Sequence, residues 1–137
     1  MAALTNYTEN QIINHIFRTT AFTRPATLYV GLILSGTDFE AGTVTEVSAA
    51  GYARVVRNPL DANWAASSIY GTTSNVLTIQ FPAATADWGT VTSWGIWDAA
   101  TGGNLLIYAS LNTPRTITNG VNSSFAPGFL TFQIDSN

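Results

Sequence analysis

The chain of 137 residues has no cysteine, no lysine and a single histidine. Without cysteine there can be no disulfide, no thiolate nucleophile and no thiolate zinc site. One histidine, His15, with no cysteine beside it argues against a transition-metal centre. Charge is also scarce. Asp, Glu, Lys and Arg make up 9% of the chain, against ~25% in an ordinary soluble domain. A free monomer normally carries more surface charge than this. The centres of protein interfaces are depleted in charge, so much of this surface is expected to be covered in use. The net charge of −3 provides no basic field for nucleic acid. No apolar run approaches the ~20 residues of a membrane span. Met1 to Asn10 is polar and lacks a basic region, so no signal peptide is expected there. The chain is expected to be made in the cytosol and to stay out of the bilayer.

What is present favours a packed fold. Apolar residues are 46% of the chain, which excludes disorder on compositional grounds. A chain of this length can bury roughly two-thirds of its unfolded surface, and no linker or internal repeat divides it. One domain spanning residues 1–137 is expected.

The only helical pattern lies near the start. Thr8 with Gln11 fits a capping box, and Glu9 sits where the helix dipole favours an anion. Ile12, Ile13, Ile16 and Phe17 follow at helical spacing, and Pro25 ends any continuation. The spacing predicts a helix from about Glu9 to Thr19.

From about residue 26 to 135 the pattern is β. Thr27 to Leu34 reads as a strand buried on both faces. Tyr52 to Arg57 and the alternating Val76 to Phe81 are shorter strands. Val91 to Trp97 and Leu105 to Leu111 form a hairpin, joined by Asp98 to Asn104 with Gly102-Gly103 as the turn signal. Arg115 to Thr118 and Phe129 to Ile134 complete the set. Seven or so short strands with Gly, Pro and Asn turns predict an all-β fold, a β-sandwich or jelly roll carrying one N-terminal α-helix. The segment Asn58 to Ser74 is irregular but holds Leu60, Trp64, Ile69 and Tyr70. It either folds onto the sandwich or meets a partner.

Catalytic patterns are missing. No phosphate loop, dinucleotide fingerprint or nucleophile elbow occurs. His15 reads as a surface or interface histidine. Glu9, Asp38, Glu40, Glu46, Asp61, Asp87, Asp98 and Asp135 are scattered. Asp87 and Asp98 flank one strand, too far apart for paired carboxylate chemistry, and read as turn residues. Asp38 with Glu40, or Asp61 with Asn63, could offer oxygens to calcium, but neither has the EF-hand spacing. Asn6-Tyr7-Thr8 and Asn122-Ser123-Ser124 match the glycosylation sequon, which has no meaning without secretion. No catalytic residue, cofactor, metal or small-molecule substrate is expected, and the chain is not expected to be an enzyme.

The aromatic and arginine residues carry more. Trp88, Trp94 and Trp97 crowd together. Trp94 and Trp97 are an odd number of residues apart, so they face opposite sides of one strand. One enters the core, and the other faces a second layer or a neighbour. An exposed Trp would also suit a sugar platform, which keeps a receptor-binding alternative open. The five basic residues are all arginine: Arg18, Arg24, Arg54, Arg57 and Arg115. Arginine's planar fork suits interfaces. Arg54 and Arg57, three apart on a strand, should face opposite sides.

The stretches Asn6 to His15, Ala26 to Leu32, Glu46 to Arg54 and Phe81 to Leu106 together resemble a family of small tailed-bacteriophage virion structural proteins, often labelled tail fibre. Asn6-Tyr7-x-Glu9-Asn10 running into Ile12-Ile13-Asn14-His15 resembles the family's N-terminal helix. Ala26 to Leu32 resembles its first strand, and Glu46 to Arg54 (EVSAAGYAR) its signature. Phe81 to Leu106 is the longest match, and Asn58 to Ser74 the weakest. The resemblance implies a component of the virion, assembled in the host cytoplasm. It implies partners such as the major capsid protein or other virion proteins, and a homo-oligomer, a trimer. A compact sandwich with low charge favours a capsid decoration (cement) protein binding between capsomers. A tail-fibre, receptor-binding or tail-adaptor module is the alternative. Arg18, Arg24, Arg54, Arg57 and Trp64 are the candidate interface residues.

Overall fold

The structure is a computed structural model that describes residues 2–67 and 69–134. Asp135, one of the carboxylates named above and the end of the expected sandwich, lies outside the described residues. In chain order the elements are β1 (Ala3–Leu4), α1 (Asn6–Phe17), β2 (Tyr29–Asp38), β3 (Thr43–Glu46), β4 (Val55–Val56) and β5 (Thr72–Ser74). They continue as β6 (Ile79–Gln80), β7 (Gly89–Trp97), β8 (Leu105–Ile117), β9 (Ser124–Phe125) and β10 (Thr131–Gln133). No helix among the described residues is long and apolar enough to cross a membrane.

The principal sheet has the order β1-β8-β7-β2-β3, with β4 pairing farther along the same edge of β2. All its pairings are antiparallel. A second layer consists of two ribbons, β5–β10 and β6–β9. Alternation sorts the side chains by face. Val30, Leu32, Trp94, Ile96 and Ala109 join Ile79, Phe81, Phe125 and Leu130 of the second layer in the larger core. Ile33, Trp97 and Leu105 form a smaller core on the opposite face, with Tyr29, Phe39, Val44 and Tyr108 around it. The sandwich therefore has apolar packing on both sides of its main sheet. That is why Thr27 to Leu34 reads as a continuous apolar run.

The hairpin β7–β8 forms where the sequence predicts it. Gly102 and Gly103 both take positive φ, which side chains disfavour. Other boundaries move. β2 runs on to Asp38 because β3 supplies a partner that the apolar pattern does not reveal. The expected strand Tyr52 to Arg57 shrinks to Val55–Val56, and Val76 to Phe81 shrinks to Ile79–Gln80, with Val76 and Leu77 left exposed. Arg115 to Thr118 is not a separate strand but the end of β8. A large bulge hides that continuity. Val91 pairs with Arg115 and Ser93 with Ser110, so Thr92 alone faces Leu111 to Pro114.

The helix begins and ends earlier than predicted. Its N-cap is Thr5, whose Oγ1 accepts from the Thr8 N–H, and its C-cap is Arg18. Thr8 is therefore the third helical residue and not the cap. Tertiary contacts decide this. Thr5 Oγ1 donates to the Leu105 carbonyl at 2.6 Å, and Thr8 Oγ1 to the Leu106 carbonyl at 2.9 Å. Both threonines are buried. They fasten the first turn to β8, while Ile13, Ile16 and Phe17 farther along stay exposed. The returning chain is held by His15, whose Nδ1 accepts from the Phe22 N–H.

Candidate functional site

The densest polar constellation lies on the smaller-core face. Gly31 and Gly95 are cross-strand partners in β2 and β7. A Cβ on either would come within 2.8 Å of the Trp97 ring. The missing side chains let the indole lie against the sheet. Arg54 caps the other side of that indole, with its guanidinium carbon 4.1 Å from the ring centroid. The fork then grips Glu46 with both arms, Nε to Oε1 at 2.8 Å and Nη2 to Oε2 at 2.7 Å. Nη1 donates to the carbonyls of Ala99 and Gly102. Arg54 thereby clamps the β7–β8 turn. Asp98 finishes the turn by accepting from the backbone and side-chain amides of Asn104.

Tyr52 completes the group. Its hydroxyl donates to Glu46 Oε1 at 2.6 Å and accepts from the Leu32 N–H at 2.9 Å. Burial first, and then the hydrogen bond to Glu46, hold the phenol well above the usual tyrosine range; the Leu32 N–H and Arg54 pull the other way without prevailing. Folded, Tyr52 keeps its proton above the range in which a free tyrosine loses it. Unfolded, it ionises near pH ~10. Its stabilisation is therefore fully present below that pH and is lost as pH rises through the alkaline range. Denaturant midpoints recorded from about pH 8 to 11 should fall more steeply for the parent chain than for Tyr52→Phe. Equal slopes would remove Tyr52 as the cause.

These groups are saturated by one another. The constellation holds β2, β3 and the β7–β8 turn together. The remaining candidate residues scatter. Arg57 donates to the Val56 and Thr78 carbonyls, away from the Glu46 and Trp97 side chains that hold Arg54. Trp64 packs against the larger core, and its Nε1 donates to the Arg57 carbonyl at 3.4 Å. Arg18 and Arg24 are exposed, and no carboxylate among the described residues pairs with them. The five residues do not share one surface.

Trp94 and Trp97 do face opposite sides, but both are buried, as is Trp88. No exposed tryptophan platform comes from this cluster. The reason is Arg54, which roofs the one ring that the strand turns away from the larger core. Asp98 bonds local backbone as expected. Asp87 reaches across to the Asn119 N–H. Asp38 accepts from the Ala41 N–H. Among the described residues no group of three or more His, Asp or Glu side chains is placed to hold a metal ion.

Two of the open surfaces among the described residues stand out. The first is the outer face of α1. Ile13, Ile16 and Phe17 are 50%, 63% and 76% exposed. The arm is electrically polarised. Arg18 and Arg24 lie at and beyond its tip, while Glu9, Asp38 and Glu40 cluster near Tyr108 at its base. There the phenol is held above its usual range by burial, then by Glu40, Glu9 and Asp38. The segment Asn58 to Ser74 divides between the two expectations for it: Trp64 folds onto the body, while Leu60, Ile69 and Tyr70 stay exposed.

The second surface is a groove of about 420 Å³ under the β8 bulge, between Leu111 to Ile117 and Val121 to Phe125. Phe129 stands at its side, half exposed and stacked on Phe125 with centroids 5.2 Å apart. Arg115 was not among the candidates from sequence. Strand parity could have found it, because it lies two residues before the inward-facing Ile117. As the start of a separate short strand, Arg115 gives no sign in the sequence that it pairs with Val91 beside the groove.

The sequence model of one protein family, described as podophage GP4 fiber I protein gp80, matches residues 3–133. No curated protein matches the chain.

Proposed function

The chain belongs to the podophage GP4 fiber I protein gp80 family, of phage virion structural proteins, and from that premise we propose that it is a compact, non-catalytic module of a virion fibre. The family description favours a fibre over the capsid decoration role that compactness and low charge favour in the sequence. The observation that carries the reading is the outer face of α1. Three large apolar side chains stand open on a helix whose first turn is fastened to β8. A contiguous exposed apolar patch marks an interaction surface. Its natural occupant is a neighbouring virion subunit. A trimer is the assembly proposed, since three such faces can close around a threefold axis.

Labelling the chain in intact particles and imaging them tests the position. Label confined to the tail supports the fibre reading. Label spread over the capsid faces would replace it with decoration. The surface has its own test. Ile16→Glu with Phe17→Glu should leave the isolated chain within about 1 kcal/mol of parental stability, because both side chains already face solvent. Incorporation into particles should fall at least ~10-fold, the effect of losing a central apolar anchor. Unchanged incorporation would exclude this face as the attachment surface.

A further inference from the structure

We propose that the groove beneath the β8 bulge is a saccharide site selective for sugars that carry a carboxylate. The inference deepens the fibre reading, and its test is independent of where the chain sits on the particle.

The groove has the volume of a small-ligand site, at ~300–1,000 Å³, and the mixed lining that sugars need. Its floor is apolar, from Leu32, Val91 and Phe125. Phe129 presents a half-exposed ring, held flat by its stack on Phe125. An aromatic face of this kind packs on the C–H face of a pyranose ring. Around it stand Asn112, Thr113, Asn122 and Ser124. These side chains are exposed, and among the described residues no hydrogen bond engages their polar groups. Amides and hydroxyls that both donate and accept match sugar hydroxyls, which do the same.

Arg115 sets the charge preference. Its strand partner is Val91, so it projects from the face that elsewhere carries the larger core. The bulge and the loop Thr118 to Ser123 leave that position uncovered. Among the described residues Arg115 is the one charged side chain lining the groove, and none of their carboxylates forms an ion pair with it. A guanidinium fork over an apolar floor is suited to bind a carboxylate with two parallel hydrogen bonds. With no acidic side chain on the lining, nothing competes for it.

The groove is also built to keep its shape. The loop is fixed by the Gly120 N–H to Ala84 O at 2.7 Å, the Ala84 N–H to Val121 O at 3.1 Å and the Phe81 N–H to Ser123 O at 2.9 Å. Asp87 Oδ1 holds the Asn119 N–H. A preformed site loses little free energy to ordering when it binds.

The full chain, isotopically labelled, is titrated with tetragalacturonate, with neutral maltotetraose and with an Asp-terminated peptide, and backbone amide shifts are followed. Saturable shifts confined to residues 111–116 and 121–129, with tetragalacturonate binding at ~1 mM or tighter, are the expected result. Maltotetraose should bind at least several-fold more weakly. Arg115→Gln should abolish that preference, and Phe129→Ala should weaken both sugars. Both residues are exposed, and retained amide dispersion shows that each variant folds. Absence of saturation with tetragalacturonate overturns the proposal. So does an equal response to the peptide, or a preference that survives Arg115→Gln. None of these outcomes alters the imaging result, and a capsid label would leave the titration unchanged.

Discussion

Arg54→Ala should destabilise the chain by about 3–4 kcal/mol, in the range found when one partner of a buried ion pair is removed. The Arg54 side chain is only 5% exposed and that of Glu46 21%. Deleting the guanidinium strands a largely buried carboxylate. It also leaves the Ala99 and Gly102 carbonyls without their donor and uncovers the Trp97 ring. In a chain of this size the thermal midpoint should drop by roughly 10 °C or more. Arg54→Lys should recover only part of the loss, because an ammonium cannot grip both carboxylate oxygens and lie over an indole together. Thermal unfolding followed by tryptophan fluorescence measures all of this. A loss below about 1 kcal/mol would mean that the pair behaves like an exposed surface bridge.

Asn75 should be comparably sensitive, although it belongs to no motif. It is almost fully buried. Its Nδ2 donates to the carbonyls of Leu77 and Ala126, both at 2.9 Å, and its Oδ1 accepts from the Leu130 N–H at 2.9 Å. Its main chain exchanges further bonds with Leu130 and Gly128. One side chain thus joins the segment before β6 to the segment before β10, next to the second-layer ribbons. Asn75→Leu removes three side-chain hydrogen bonds, leaving the Leu130 N–H buried and the Leu77 and Ala126 carbonyls partly buried without their donor. At roughly 1–3 kcal/mol for each unsatisfied group, a total near 4 kcal/mol is expected after partial relaxation. Asn75→Asp should be at least as harmful, since a carboxylate would face two carbonyl oxygens and could donate to neither. Chemical denaturation of the two variants checks the order. If Asn75→Leu were neutral, the second layer would have to be held by apolar packing alone.

The two residues differ in how visible they are in the sequence. Arg54 stands out in a charge-poor chain and closes the stretch that resembles the family signature. Its location is legible, but its role is not. A pattern cannot show that Gly31 and Gly95 face each other under Trp97, and so cannot show that Arg54 is turned inward. Asn75 is invisible, because a buried asparagine and a turn asparagine look alike along the chain. The β7–β8 hairpin was readable because its signals are local: alternation, then Gly102-Gly103, then alternation again. The helix cap was misplaced by three residues because Thr5 and Thr8 are equally good caps in isolation. The Leu105 and Leu106 carbonyls choose between them. The stripe Ile12, Ile13, Ile16 and Phe17 was legible as amphipathic. Periodicity reports only that a face is apolar, not whether the same chain covers it. The groove was the least readable part, since a bulge that sets Thr92 against Leu111 to Pro114 has no periodic signature.

That bulge also affects how copies of the protein tolerate crowding. Beyond its short pairing with β1, the outer margin of β8 meets no other strand among the described residues. A straight, unpaired margin of this length would be a template for strand-by-strand stacking of one molecule on the next. Here Pro114 removes a donor, the extra residues bend the line, and Arg115 introduces a charge beside the break. The irregularity that opens the groove therefore also guards against fibrillar aggregation where molecules are held close together.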